Sequence, residues 1–220
     1  MNHLRGKFIV FDGGEGCGKS TQARLLEEKL ESQGIPILHV HDPGTTRIGG
    51  LIRKILLDAE NTDMGMRCEM LLYMAARAQM IWEKIQPALS EGKVVVSDRF
   101  VSSTLAYQQG GDELTAREIN NVAKIAIKDR WPDLVIILDM PVEKSSSRIH
   151  PQLSLPFPEQ FKPRRNKDRI EQRSLEYHTQ VRKRYLDQAK ADPKRHKVIN
   201  ADRSIEQVQA DVLEALKFLI

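Results

Sequence analysis

The 220-residue chain predicts a single α/β domain with a five-stranded parallel sheet held between two layers of helices. Three observations predict it. Short apolar runs rich in β-branched residues alternate with longer amphipathic stretches, as in strands buried under crossover helices. The first run leads straight into a glycine-rich turn and then a helical pattern. No internal repeat or linker interrupts the alternation, so residues 1–220 read as one domain.

Taken in order, Phe8-Ile9-Val10-Phe11 is the first strand, and Thr21 to Gln33 sets Ala23, Leu26 and Leu30 on one helical stripe. Ile35 to Val40 reads as the second strand and Glu69 to Leu89 as a long helix. Val94-Val95-Val96 is the third strand, Ile119 to Lys128 a helix, and Leu134 to Leu138 the fourth strand. A weaker fifth, Val198-Ile199, precedes a helix over Ile205 to Leu219. One segment breaks the pattern. It carries Pro151, Pro156, Pro158 and Pro163, with a basic cluster of Lys162, Arg164, Arg165 and Lys167. Those prolines forbid a continuous helix, and the span exceeds an ordinary connection. The reading is a mobile lid over a site, at about residues 150–168.

Composition narrows the function classes. With 40% hydrophobic and 29% charged residues the chain is not a disordered one. Its two cysteines, Cys17 and Cys68, exclude a disulfide framework and suit a reducing compartment. No apolar stretch approaches the roughly 20 residues of a membrane span. The opening MNHLRGKFIVFDGG has no signal-peptide pattern, so the expected location is cytoplasmic. A net charge of +4 suits an anionic ligand. Outside the lid the basic residues are dispersed and no aromatic array accompanies them, which argues against a nucleic-acid partner and against the rival reading of a nucleotide-dependent switch or nucleic-acid-binding ATPase.

The chemistry begins at Gly13-Gly14-Glu15-Gly16-Cys17-Gly18-Lys19-Ser20, which matches G-x-x-x-x-G-K-[ST] between an apolar strand and an amphipathic helix. Glycines let successive backbone N–H groups turn inward around a polyphosphate, and the helix N-terminus adds partial positive charge. Lys19 is placed for the β and γ oxygens and the Ser20 hydroxyl for Mg2+. This makes the fold that of the P-loop nucleotide-binding proteins. Cys17 occupies a variable position of the loop, where a helix N-terminus can also activate a thiol. Such loops serve many enzyme classes, so the phosphoryl acceptor must be read elsewhere. Asp98, ending the third strand, is placed to hold Mg2+, and Arg99 beside it to grip a second phosphate. Asp139, ending the fourth strand, is the alternative metal residue.

These residues and their neighbours together resemble the thymidylate kinase family over nearly the whole chain. The opening Phe8-Ile9-Val10-Phe11-Asp12-Gly13 through Thr21 is similar to F-I-x-F-E-G-x-E-G-x-G-K-[ST]-T, and His41 through Arg53 to R-E-P-G-G-T-x-x-G-x-x-I-R. Leu72-Tyr73-Met74-Ala75-Ala76-Arg77 resembles L-[FY]-x-A-x-R. Asp98-Arg99-Phe100 with Ser103, Ala106, Tyr107 and Gln108 resembles D-R-[YF]-x-x-S-x-x-A-Y-Q-G, with Gln109 in place of the last Gly. D-R-I-E recurs as Asp168-Arg169-Ile170-Glu171.

The resemblance implies transfer of the ATP γ-phosphoryl group to dTMP with Mg2+, by a homodimer. It implies that Tyr73 stacks on thymine, that Arg77, Thr104 and Gln108 read its edge, and that Tyr107 crowds a ribose 2′-OH. Arg53 and Arg99 look like clamps on the acceptor phosphate, Asp12 belongs to the same dTMP site, and Glu15 approaches the 3′-OH. Arg148 is similar to the arginine lying against adenine, beside Asn200-Ala201-Asp202. The loop carries no arginine of its own, so the chain resembles the bacterial type, in which lid arginines supply the charge. Arg164 or Arg165, with Arg169, correspond to these. His41, Asp42 and Thr45 stand where the family has Arg, Glu and Gly, a departure that bears on acceptor affinity more than on reaction type.

Overall fold

In the computed structural model, which describes residues 1–149 and 168–219, one parallel sheet runs through the molecule. Its strands are β1 (Phe8–Gly13), β2 (Ile37–His41), β3 (Val94–Asp98), β4 (Leu134–Asp139) and β5 (His196–Asn200), in spatial order β2-β3-β1-β4-β5. β1 pairs with β3 from Phe8↔Val95 to Phe11↔Asp98 and with β4 from Ile9↔Leu134 to Gly13↔Leu138. Strand residues alternate between faces. Phe8, Val10 and Val95 therefore enter one core while Ile9, Phe11, Val94 and Val96 enter the other. Two cores on opposite faces of one sheet give the expected three layers.

The edge strands depart from the expectation of strands buried on both faces. Only Val40 of β2 and Ile199 of β5 are buried, because each edge strand has helix cover on part of its surface and a sheet neighbour on one side.

The helices are α1 (Lys19–Glu31), α2 (Arg47–Leu57), α3 (Met66–Met80), α4 (Gln86–Ser90), α5 (Val101–Tyr107), α6 (Ala116–Ile127), α7 (Val142–Ile149), α8 (Leu175–Ala191) and α9 (Ile205–Leu216). The long helix expected over Glu69 to Leu89 is broken by a wide π turn at Ile81–Ile85. Pro87, near the start of α4, explains the break: it lacks an N–H and its ring clashes with the carbonyl four residues back. The helix α8 shows no broad apolar face because only Val181, Tyr185 and Ala189 of it are buried. The proline-rich segment and its Arg164 and Arg165 lie outside the described residues.

Candidate functional site

The glycine-rich turn joins β1 to α1 at the carboxyl end of the central strand. Gly13 holds φ at 136°, and a Cβ there would meet the Leu138 carbonyl oxygen at 2.5 Å. Only glycine fits between the turn and β4. Gly18 caps α1 with φ of 96°, so the helix amides open toward the loop. Lys19, buried, spans the loop and donates from Nζ to the Gly14 carbonyl at 2.7 Å and the Gly13 carbonyl at 3.3 Å. Burial pushes the Cys17 thiol up, and a thiol that stays protonated is a poor nucleophile.

The Ser20 hydroxyl donates to Asp98 Oδ2 at 2.7 Å, which joins the loop to the end of β3. A hydroxyl and a carboxylate are hard oxygen donors, the kind Mg2+ takes. Among the described residues no three His, Cys, Asp or Glu side chains cluster as a metal cage. Asp139 is engaged differently. It accepts two bonds from Arg182, at 2.7 Å from Nε and 2.8 Å from Nη2, and lines a further cavity with Gly13, Gly14 and Met140.

Arg99 occupies the centre of the site in a left-handed backbone conformation, with φ of 73°. Its guanidinium donates to the Gly13 carbonyl, Ser103 Oγ, the Tyr185 and Tyr107 hydroxyls, and Glu15 Oε1 at 2.5 Å. Burial pushes the Glu15 carboxyl up, but Arg99 and then Lys19 outweigh it and bring it from 4.5 down to about 2. Glu15 is thus an anion at neutral pH.

Two clefts meet at this point. One, of about 720 Å³, runs along the loop past Lys19, Ser20, Thr21, Asp98, Arg148 and Ala201. The other, of about 260 Å³, is lined by Tyr73, Arg77, Ser103, Thr104, Tyr107 and Gln108. Both are lined by Glu15, Asp42, Arg53, Arg99 and Glu171. Arg53 donates to the Pro43 carbonyl at 2.8 Å, which holds it at the junction. Arg77, almost wholly buried, donates from Nε to Asp42 Oδ2 at 2.6 Å, from Nη1 to Thr104 Oγ1 and from Nη2 to the Phe100 carbonyl. Asp42 therefore reaches its arginine despite being a methylene shorter than glutamate. His41 also lines the larger cleft, and burial with nearby Arg53 lowers its pKa, so it is neutral at pH 7.

A family model for thymidylate kinase matches residues 11–212. The chain belongs to the thymidylate kinase family. It is 42% identical to the thymidylate kinase of Pelotomaculum thermopropionicum, over 96% of this chain and 93% of that protein. It is 39% identical to the thymidylate kinase of Halothermothrix orenii, over 97% of this chain and 98% of that one. Among solved structures, the crystal structure of thymidylate kinase from Ehrlichia chaffeensis superposes with a TM-score of 0.73 at 27% identity, covering 96% of this chain and 98% of that one.

Two residues expected at the substrates, Asp12 and Arg169, line neither cleft. Asp12 is fully buried beneath Arg99 and accepts from Ser102, from Ser103 at 2.5 Å and from Tyr185 at 2.9 Å. It lines neither cleft, since its oxygens are consumed by the three hydroxyls, two of which in turn hold Arg99. Arg169 donates to the Leu56 carbonyl and to Glu69, a fully buried carboxylate that requires cationic partners. Glu171, by contrast, reaches both clefts although sequence reasoning noted it only as the last letter of D-R-I-E. Nothing in the sequence marks Tyr185, an aromatic on a charged helix, as the residue under Arg99.

Proposed function

We propose the following division of labour for this thymidylate kinase, which transfers the γ-phosphoryl group of ATP to dTMP, giving dTDP and ADP for dTDP biosynthesis. The observation that carries it is the pair of clefts meeting at Arg53, Arg99 and Glu15. ATP lies in the larger cleft, its polyphosphate wrapped by the amides of Gly13, Gly14, Glu15, Gly16, Cys17 and Gly18. Lys19 reaches the β and γ oxygens, Thr21 lies at the start of α1, and Arg148 lies against adenine. Ser20 and Asp98 would hold Mg2+, which would neutralise charge on the phosphate oxygens.

In the smaller cleft dTMP lies with its base over Tyr73 and its edge toward Arg77, Thr104 and Gln108. Tyr107, tied to Glu15 and Arg99, crowds the position of a 2′-OH and selects deoxyribose. Arg53 and Arg99 grip the acceptor phosphate. Its second pKa is near ~6, so the nucleophile is mostly ionised at neutral pH and needs no strong base. Charge on the transferring group is met by Lys19 and by Arg164 or Arg165 of the lid, so positioning and cations supply the rate.

The enzyme acts as a homodimer in the cytoplasm. Supporting the dimer, α2 exposes Ile48, Leu51 and Ile55 at i, i+3 and i+7, and Leu71 of α3 and Trp82 are exposed after it. Among the described residues no helix is long and apolar enough to cross a membrane.

The experiment that tests this is ADP release from ATP and Mg2+ with dTMP, dUMP, dCMP, dGMP, AMP and thymidine as acceptors. Strong selectivity for dTMP is expected. Preference for another monophosphate discards the roles of Tyr73, Arg77 and Gln108, and ATP turnover without acceptor dependence overturns phosphoryl transfer to a nucleotide.

A further inference from the structure

Glu69 of α3 is fully buried and lines neither cleft. Its two oxygens have different partners. Oε2 accepts from Nη2 of Arg169 and, at 2.7 Å, from Nη2 of Arg173. Oε1 accepts at 2.7 Å from Nε2 of Gln108, a buried side chain that lines the acceptor cleft. An amide flips between its two orientations at little cost, so a lone glutamine at a pocket wall offers either a donor or an acceptor. Here the choice is taken away. A carboxylate offers acceptors only, and two guanidiniums occupy one of its oxygens. The other demands the NH2 of Gln108, which turns the amide oxygen the opposite way.

We infer that Glu69 is a positioning residue for specificity: it locks the amide of Gln108 so that the acceptor cleft meets a hydrogen-bond acceptor. The inference rests on the reading that the acceptor base occupies this cleft, and it names the ring chemistry selected there. Thymine and uracil carry a hydrogen on N3 and can donate to that oxygen. The N3 of cytosine is itself an acceptor, and pairing it with a locked carbonyl sets lone pair against lone pair in a buried site. Arg169 and Arg173 belong to the device, since by occupying Oε2 they leave Oε1 as the face that Gln108 must answer.

The test is kcat/KM for dTMP, dCMP and N3-methyl-dTMP in the wild type, in Glu69→Gln, and in the swap Glu69→Gln/Gln108→Glu. In Glu69→Gln the two arginines draw the new amide oxygen, so the new NH2 faces Gln108 and forces its amide to present NH2 to the cleft. The ratio of dTMP to dCMP efficiency is expected to fall about tenfold to a hundredfold, with the KM for ATP within about twofold of wild type. In the swap, the carboxylate introduced at position 108 accepts from the new amide and returns an oxygen to the cleft, so thymine selectivity is expected to recover. A merely structural Glu69 predicts equal losses on both acceptors and no recovery. Should the single variant fail to fold, the swap, which keeps one carboxylate and one amide in the same pair, decides by its selectivity. A wild-type ratio in Glu69→Gln, or a folded swap that takes dTMP and dCMP alike, overturns the inference alone. A wild type indifferent among the three acceptors overturns the reading of the cleft as well.

Discussion

Replacing Arg77 with methionine isolates the energetics of the smaller cleft. Arg77 and Asp42 are each about 1% exposed at the side chain and meet at 2.6 Å. The second oxygen of Asp42, Oδ1, has no hydrogen-bond partner among the described residues, so Arg77 is the cation on which this carboxylate depends. Removing one partner of a buried pair leaves an uncompensated charge and costs about 3–5 kcal/mol. For a chain of this size each 1 kcal/mol moves Tm by about 2–4 °C, which gives a drop of about 6–20 °C. The loss should be conditional on Asp42. Arg77→Met/Asp42→Asn is expected to recover at least half of it, a coupling of about 2 kcal/mol in a double-mutant cycle followed by urea denaturation. The pH dependence has a definite sign. Burial already pushes the Asp42 carboxyl up, against the opposing charge of Arg77, and without Arg77 it rises further. The folded variant then binds a proton that the unfolded chain binds only at lower pH, so its deficit shrinks as pH falls from neutral through that raised value. A single variant within about 1 kcal/mol of wild type, or a double variant no more stable than the single, would refute the reasoning.

Three further outcomes are expected. Lys19→Ala should lower kcat/KM at least about a thousandfold, checked by coupled ADP release; a rate near wild type removes the phosphate-loop assignment. Arg164→Ala/Arg165→Ala should lower kcat about a hundredfold or more while leaving each KM within about threefold, as for groups that act only in the transition state; an unchanged kcat removes the lid arginines from the mechanism. Glu15, held at about 2 against an ordinary 4.5, stabilises the folded state above the ordinary carboxylate range, and that stability is lost as pH falls from 4.5 toward 2. With 32% of its side chain exposed, solvent screening limits the effect to about 1–2 kcal/mol. The difference in urea midpoint between wild type and Glu15→Gln should therefore narrow steadily below pH 4.5, and a gap that widens there contradicts the Arg99–Glu15 pairing.

The sequence made legible what depends on local pattern. The runs at Phe8, Val94 and Leu134 are central strands with apolar residues on both faces, so composition alone marks them. The glycine spacing of the phosphate loop is a backbone requirement, and Gly13 shows it in the Leu138 carbonyl that leaves no room for a Cβ. What stayed hidden depends on partners distant in the chain. Tyr185 meets Asp12 across 173 positions and Glu69 meets Arg173 across 104. No window along the chain contains both members of such a pair. Asp98 and Asp139 both end buried strands; the sequence favours Asp98 through the adjacent Arg99, and the structure adds the Ser20 hydroxyl beside one and the Arg182 guanidinium beside the other.

The position of Arg99 shows how this fold supplies preorganised charge. The sheet order sets β1 between β3 and β4, so chain leaving β3 passes beside the phosphate loop that leaves β1. The Arg99 amide continues the ladder by donating to the Phe11 carbonyl at 2.9 Å, and the left-handed φ of the residue then swings its side chain back across the end of β1. A non-glycine residue in such a conformation costs of order 1–3 kcal/mol and persists only where its surroundings enforce it. Here they are the buried carboxyl group of Asp12 and the hydroxyls of Ser103 and Tyr185, each hydroxyl bonded to both Asp12 and Arg99. Every member of that set has a partner, so the guanidinium is held in place by protein groups alone and would need little reorganisation to meet an anion in either cleft. Tyr185 belongs to α8 and Ser103 to α5, and Ser103 also lines the smaller cleft. One arginine is thereby seated by two helices far apart in the chain, at the point where the two clefts meet.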